Sequence, residues 1–556
     1  MFVPIVMPAT FPVTCHTDFV GPQSIFVAIE GYADNGINYI KKAIEKGART
    51  IVVHHDTVFD DELRAFIDAH AVVVEYVANT RKRLAELSAR QAGYPAQKLK
   101  IIGITGTKGK TTTSFLLEHI VASAGNKTAL ISSAQNRICG YNFPAPLTTP
   151  QPDYLQQFLK LCVENSVDYV VMEVAAQALT LYRVEGIVFC GIIFTNFSHE
   201  HLEFYPTLDD YFYAKTLIFG MAAHGAPILI NGDDARGAQL LLQHTHAVGY
   251  GLFNPTSTAL QLGTLIKNFH LPADLSSSAR PEPVEGYPRA LEDILLPQFS
   301  FHSKPGTPSK GTEDGDKTVQ DEREKTKTLS GDSSDLRYKG LHISDPVHGI
   351  ALEVKHHNNA MYVSCPKLFG AYNGYNVLAA TSMALALSIT PDMVHAALFS
   401  FSGVPGRLQE HVLTNGARCF IDYAHNPESF EAVLSTLRSL THQLIVLFGA
   451  GGGRDKSKRP MMGNIAAQIA DIVVITSDNP RLEDPITIAD DIIQGIPASF
   501  RHKVVQELDR KKAIEHAYFL SDQGSIIALL GKGPDEYQII GKTKHYFSEQ
   551  HIVEQL

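Results

Sequence analysis

The sequence predicts an α/β fold of three domains, over residues 1–98, 99–398 and 399–556, and three observations carry that expectation. The chain has 556 residues, more than one hydrophobic core normally serves. Short apolar, strand-like runs alternate with helical stretches through most of its length, the pattern of parallel sheets covered by helices. One such alternation, Lys100 to Thr113, passes from an apolar strand through a glycine loop ending in Gly-Lys-Thr and then into a helix.

The first domain reads as a small α/β unit. Ser24 to Ile29 forms a strand, Gly36 to Lys46 a helix and Thr50 to Val53 the next strand, and a basic, Leu/Ala-rich helix closes it.

The central domain carries strand-like runs at Ile101 to Thr105, Tyr169 to Val174, Val188 to Phe194 and Pro227 to Asn231, with helices between them. Its glycine loop lacks the glycine that a full P-loop needs at Ile104, and keeps the shorter form Gly106-x-x-Gly109-Lys110-Thr111. Gly106 and Gly109 let the backbone N–H groups of Thr107, Lys108 and their neighbours crowd around phosphate oxygens. Lys110 supplies a cation, Thr111 a hydroxyl that can reach Mg²⁺, and the helix opening at Thr112 its positive dipole end. That combination predicts a bound nucleoside triphosphate. From about Pro272 to Gly340 the chain is rich in Ser, Pro, Gly, Lys and Glu, with no aromatic ring between Phe301 and Tyr338. Such a composition does not offset chain entropy, and it predicts a disordered insertion without a catalytic role.

The last domain alternates again, with strands at Cys419 to Tyr423, Gln443 to Phe448, Asp471 to Thr476, Lys503 to Val505 and Ile526 to Leu530. This is a Rossmann-like pattern. Gly449-Ala-Gly-Gly-Gly453-Arg454 suggests a dinucleotide loop, but the third glycine of G-x-G-x-x-G falls on Arg454, which disfavours NAD.

A net charge of −10 with a pI near 6.2 argues against a nucleic-acid partner or stable association with an anionic membrane. The start of the chain has no basic leader and no apolar run approaches a membrane span, so a cytoplasmic protein is expected; a monomer is expected as well, though these observations do not bear on it. Six cysteines lie scattered without a C-x-x-C pair, which indicates neither a zinc site nor a disulfide framework.

Further motifs follow the glycine loop: Leu147-Thr-Thr-Pro150, Val171-Met-Glu-Val174, Phe194-Thr-Asn-Phe-Ser-His-Glu-His201, Tyr213-Ala-Lys215, Gly403-Val-Pro-Gly-Arg407, Asp422-Tyr-Ala-His-Asn-Pro427 and Asp478-Asn-Pro-Arg481. In order and approximate spacing the set resembles the Mur ligases, which build the peptide of bacterial cell-wall precursors. The likeness is to members that add the third residue, meso-diaminopimelate or lysine, to UDP-N-acetylmuramoyl-L-alanyl-D-glutamate. It implies a UDP-holding first domain, a central ATPase domain and a C-terminal domain that holds the amino acid. It also implies ATP and Mg²⁺ as cofactors, and an acyl phosphate that the incoming amine attacks.

The resemblance assigns roles residue by residue. Lys110 and Thr111 serve the phosphates and a first Mg²⁺, and Glu173 is a Mg²⁺ ligand at the end of an apolar strand. Spacing alone makes His201 an ordinary loop histidine, whereas the resemblance makes it a ligand of a second Mg²⁺. Pattern alone likewise makes Lys215 a surface helix lysine; the resemblance makes it a lysine carbamylated by CO₂, whose carboxylate helps to hold metal. Asn196 would lie near the phosphates, Asn373 or Asn376 and Asp422 at adenine and ribose, and Arg407 at the nucleotide from a hinge-like turn. Asp422 also admits a plain capping or turn role. Thr17, Thr148, Thr149, Ala175 and Arg183 fall on positions that hold the sugar-peptide substrate, with Arg183 suited to the D-glutamyl carboxylate. Arg454, Asp478, Asn479, Pro480, Arg481, Gly531 and Asp535 fall on the third-residue pocket, where Arg481 can clasp the second carboxylate that distinguishes diaminopimelate from lysine.

The chain departs from the family pattern at four places. His16-Thr17-Asp18 stands for Asp-Ser-Arg near the uridine, and Ala175-Ala176-Gln177 for Ser-Ser-His. Asp535 replaces a glutamate, and Lys108 replaces an asparagine, as in lysine-adding relatives. The expectation is therefore a ligase adding meso-diaminopimelate. A lysine-adding ligase and a non-catalytic nucleotide- or precursor-binding paralogue are the alternatives.

Overall fold

The computed structural model describes residues 4–31, 34–145, 147–198, 204–252, 336–342, 349–356 and 359–556. The expected insertion over 272–340 lies outside them except for its last residues, where the strand Leu336–His342 begins. His201 also lies outside the described residues. The chain divides into two compact units, Met1–Thr107 with Ile138–Lys339, and Lys108–Arg137 with Gly340–Leu556.

The first unit opens with a four-stranded parallel sheet in the order Val13–Thr14, Ile25–Val27, Thr50–His54 and Val73–Val77. Side chains alternate across its strands, so both faces are apolar and both are covered. Phe26, Ile51 and Val53 pack with Ile40, Ile44, Leu63 and Ile67 on one face, while Val13, Val27 and Val52 meet Leu84 and Leu87 on the other. The expected helix over 36–46 begins as a 3₁₀ turn, Gly36–Tyr39, and becomes α-helical at Ile40–Glu45.

Five parallel strands follow, in the spatial order Tyr169–Glu173, Lys100–Thr105, Phe189–Phe194, Ile228–Asn231 and Val248–Leu252. Tyr169–Glu173 lies on one side of Lys100–Thr105 and Phe189–Phe194 on the other. Connections leaving their C-terminal ends therefore diverge and open a crevice there, the usual ligand position in such sheets. The central strands are buried apolar runs, as sheets covered on both faces require.

The second unit holds a six-stranded sheet in the order Gln409–Val412, Arg418–Asp422, Ile526–Leu530, Leu444–Phe448, Ile472–Ile475 and Val504–Gln506, parallel except at its Gln409–Val412 edge. Alternate residues again feed two cores. Phe420, Val446, Phe448 and Leu530 pack beneath Phe430, Leu434 and Met462, and Ile421, Leu447 and Leu529 beneath Ala513 and Ile514. The helix Lys110–Ser123 belongs to this unit and packs on the helices Ala371–Ala386 and Pro391–Phe399.

Candidate active site

In the first unit, Gly106 and Thr107 leave the strand Lys100–Thr105 at the switch point, and the next strand end shapes them. Thr107 donates its N–H to Asn196 O at 2.9 Å, and its hydroxyl accepts from Ser198 N at 3.0 Å. Gly106 has φ 141°, and a Cβ there would lie 2.0 Å from Thr195 Oγ1, so only glycine lets the loop pass.

Lys215 lies on the helix Leu208–Thr216, which a reciprocal cap between Thr207 and Asp210 starts. Its side chain is 1% exposed, sits 4.3 Å from the Tyr211 ring centroid one turn earlier, and donates to Gly106 O at 2.8 Å. The surface-lysine reading from pattern alone is therefore corrected: aromatic rings bury this helix face, and the ammonium meets the glycine loop.

Glu173 ends its strand opposite Ile104 and is 1% exposed. Thr149, expected at the substrate, is fully buried; its hydroxyl donates to Glu173 O at 2.9 Å and accepts from Ala175 N at 3.0 Å. Arg183 Nη1 donates to Thr149 O at 3.1 Å. Thr148, Thr149, Glu173, Ala175 and Arg183 thus form one local framework, with Thr148 half-buried at its edge. Thr17 lies in the turn Thr17–Phe19, and Lys46 Nζ donates to its carbonyl at 2.9 Å and lies 3.8 Å from Asp18. Lys46 returns a cation to a turn whose own sequence lacks one, and only the fold shows it.

In the second unit, Gly109 caps the helix Lys110–Ser123 with φ 83°, and a Cβ there would lie 2.3 Å from Asn376 Oδ1. Asn376 accepts from Thr113 Oγ1 at 3.2 Å and donates to Asn373 Oδ1 at 2.8 Å, while Asn373 donates to Phe369 O. Both asparagines are buried, and they brace the helix start on which Lys110, Thr111 and Thr112 stand. Thr111 Oγ1 lies 2.9 Å from Ser133 Oγ, and Lys108 pairs with Glu428.

Asp422 takes the turn role that its place after a strand suggests. Its carboxylate accepts from Leu408 N at 2.7 Å and Ala424 N at 2.8 Å, and burial raises its pKa against the Arg407 charge. Arg407 lies over the Tyr423 ring at 5.1 Å. Gly406, with φ 66°, packs so close to Gly533 and Pro534 that a Cβ would clash.

The residues expected at the amino acid stand as follows. Arg481, itself at φ 54°, donates from Nη1 to Gly452 O at 2.8 Å and from its backbone N to Ile539 O at 3.1 Å. Asn479 Oδ1 accepts from Ile539 N at 2.8 Å, its carbonyl accepts from Gly452 N, and Pro480 is buried beside it. Gly531 has φ 109° and faces Asp478. Asp535 is half-buried, and desolvation raises its pKa against Lys532 and a hydrogen bond from Tyr537. Arg454 stands exposed on the Gly451–Gly453 loop.

Three groups here escaped the sequence reading. Lys532 is fully buried, lies 3.2 Å from Asp478 and donates to Tyr537 O at 2.6 Å. Arg510 pairs with buried Glu549 at 2.8 Å and donates to Ser477 O and Leu530 O, fixing the two strand ends beside Asp478 and Gly531. Arg459, fully buried, pairs with Glu483 and Asp491 and donates from Nη2 to Gly451 O at 3.2 Å. Only Lys532 had a local signal, the Gly-Lys-Gly run.

A phosphate-type glycine loop at the switch point of a parallel sheet, followed by a separate Rossmann-like sheet, defines a nucleotide-using α/β enzyme. Comparisons narrow the class. Residues 13–92 match the catalytic domain of the Mur ligase family, 104–267 the Mur ligase middle domain and 406–533 the Mur ligase glutamate ligase domain. The UDP-N-acetylmuramoyl-L-alanyl-D-glutamate--2,6-diaminopimelate ligase of Clostridium botulinum is 32% identical, over 96% of this chain and 92% of its own length. Its namesake from Aquifex aeolicus is 32% identical, over 98% and 93%. Among solved structures, a ligase of that same name superimposes with TM-score 0.58 at 23% identity, covering 98% of this chain and 94% of its own. MurF from Acinetobacter baumannii gives 0.60 at 15%, covering 98% and 93%; both structures are likenesses of fold. The chain belongs to the Mur ligase family and has that family's three domains.

Proposed function

We propose that this chain is an ATP-dependent ligase that joins meso-2,6-diaminopimelate to UDP-N-acetylmuramoyl-L-alanyl-D-glutamate in cell-wall precursor synthesis, with ADP and phosphate released. The observation that carries the proposal is the likeness to 2,6-diaminopimelate ligases over almost the full chain. Arg481, which donates from Nη1 to Gly452 O, is the group proposed to clasp the second carboxylate. The working arrangement is three domains, 1–98, 99–398 and 399–556, in a cytoplasmic monomer. Among the described residues no helix is long and apolar enough to cross a membrane.

Amide formation needs the acceptor carboxylate turned into an acyl phosphate, and two anions must approach for that transfer. Catalysis is then mostly positioning and charge neutralisation. Gly106, Thr107, Lys108 and Gly109 shape the phosphate loop, and Lys110 and Asn196 face the phosphates. Thr111 would serve a first Mg²⁺ as a hard oxygen donor, and Glu173, with His201 and a carbamate on Lys215, would hold a second. When bound, Mg²⁺ would screen phosphate and carboxylate charge. Lys215 can accept CO₂ only as a neutral amine; carbamylation would form an N–C bond with loss of one N–H proton and add a carboxylate, leaving one N–H able to donate to Gly106 O. Asn373, Asn376, Asp422 and Arg407 frame the nucleoside end. Thr17, Thr148, Thr149, Ala175 and Arg183 frame the UDP-dipeptide. Arg454, Asp478, Asn479, Pro480, Arg481, Gly531 and Asp535 frame the amino acid.

L-lysine is the second reading for the amine, favoured by Lys108 in the loop. Mass spectrometry of the product decides between them: addition of one diaminopimelyl residue supports the proposal, and addition of lysine alone overturns the pocket assignment.

A further inference from the structure

We infer that Asp153 is a positioning residue for the UDP-bearing substrate: its carboxylate fastens the turn that carries Thr17 to the helix that follows the Thr148-Thr149 motif. The inference rests on the proposed function and goes beyond its site residues. Asp153 is 3% exposed and stands second in the helix Pro152–Glu164. Its Oδ2 accepts from Thr14 Oγ1 at 2.7 Å and from Cys15 N at 3.1 Å, and its Oδ1 from Tyr154 N at 2.9 Å. The Cys15 thiol lies 3.7 Å from the same Oδ2. A helix N-terminus favours an ionised carboxylate, and bonds to an ionised acceptor are stronger than neutral ones.

The far end of that turn is held at Phe19, whose carbonyl accepts from Phe11 N at 2.8 Å and whose ring stacks on the Phe11 ring at 4.3 Å; the near end is where Asp153 acts. The strand before the turn, Val13–Thr14, has two residues and, among the described residues, pairs along one side, with Ile25 and Phe26. Thr14 is fully buried, and its hydroxyl, while donating to Asp153, accepts from His16 N at 3.0 Å. Asp153 therefore acts through Thr14 on the backbone that presents Thr17. Lys46 holds the same turn from the other side, at Thr17 O.

On the helix side the connection is short and stiff. Pro150 and Pro152 restrict the backbone between Thr149 and Asp153. Thr149 is bonded to Glu173 O and Ala175 N, and Arg183 to Thr149 O. A fixed spacing thus runs from the Thr17 turn through Asp153 to the Arg183 framework. A long substrate gripped at both ends depends on that spacing, because small misplacements are costly in rate and affinity.

The test is steady-state kinetics on the full chain with Asp153→Asn, Thr14→Val and Thr14→Ser. Loss of one charge-assisted bond predicts a KM for the UDP-dipeptide about tenfold higher in Asp153→Asn and Thr14→Val, with KM for ATP and the diamino acid unchanged. Thr14→Ser keeps the hydroxyl and should restore the parent value. The double variant should be no worse than either single one. An unchanged KM for the UDP-dipeptide, or equal rises for all three substrates, would overturn the inference. Absence of turnover by the parent protein would instead count against the proposed function. Calorimetry with UDP then carries the test: weaker binding by Asp153→Asn supports the latch, and equal binding refutes it.

Discussion

The Lys215 ammonium lies 2.8 Å from the carbonyl oxygen of Gly106, with both groups inside the first unit and the lysine 1% exposed. A helix lysine 109 positions away thus touches the loop that pattern assigns to phosphate. Lys215→Ala is expected to lower kcat by a factor on the order of 10²–10³. If the lysine works as a carbamate, a small added carboxylate should return part of that rate. An unchanged kcat would exclude Lys215 from the chemistry, and loss without rescue would exclude the carbamate.

Gly109 and Gly125 separate two costs of left-handed backbone. Their φ values are 83° and 87°, but a Cβ at Gly109 would lie 2.3 Å from Asn376 Oδ1, while nothing lies within 4 Å at Gly125. Gly125→Ala should lower stability by about 1 kcal/mol, the cost of the conformation alone. Gly109→Ala should cost about 1–3 kcal/mol more and raise KM for ATP, because Asn376 and the helix start must move. Equal urea midpoints for the two variants would contradict the packing argument.

Arg510 and Glu549 are 0% and 1% exposed, and their pairing ties together the strand ends beside Asp478 and Gly531. Burial pushes the Glu549 pKa up, against the pull of Arg510. Arg510→Met should destabilise by about 3–5 kcal/mol, since it leaves a buried carboxylate without its cation. Adding Glu549→Leu should recover much of that loss, short of the two backbone bonds made by Arg510. Denaturant unfolding of both variants measures it. A double variant no better than the single one would show that the charge is not what matters.

Glu483 bonds Arg459 and Lys456, and these partners lower its pKa from 4.5 to about 2. A depressed carboxylate favours folding above its unfolded pKa and ceases to do so as pH falls through the folded value. The stability difference between parent and Glu483→Gln should therefore be constant above pH 4.5 and shrink as pH falls toward about 2. Unfolding at pH 7, 4 and 3 follows it. A difference that grows on acidification would contradict the ion-pair assignment.

What the sequence discloses depends on how local the cause is. The strands around Lys100–Thr105 and Leu444–Phe448 were legible because buried parallel strands are apolar runs between turns, and their observed ends fall within a residue or two of the expected ones. Gly106 and Gly109 were legible because the loop chemistry demands them. Lys215 was legible only through the family motif, since by pattern a helical lysine looks the same buried or exposed until Tyr211 and Gly106 are folded around it. Thr149 and Asp422 were expected at ligands; that they also bond the backbone of distant segments, Glu173 O and Leu408 N, is nothing a motif string can show. Asp153 and Thr14 are 139 positions apart, and nothing in either segment announces the other.

The central claim is ligation of diaminopimelate. Phosphate release by the purified chain, with ATP, Mg²⁺ and UDP-N-acetylmuramoyl-L-alanyl-D-glutamate and either meso-diaminopimelate or L-lysine, tests it most directly. Release that depends on diaminopimelate and stays at background with lysine is the predicted result. Release with lysine alone, or none with either amine, would contradict it.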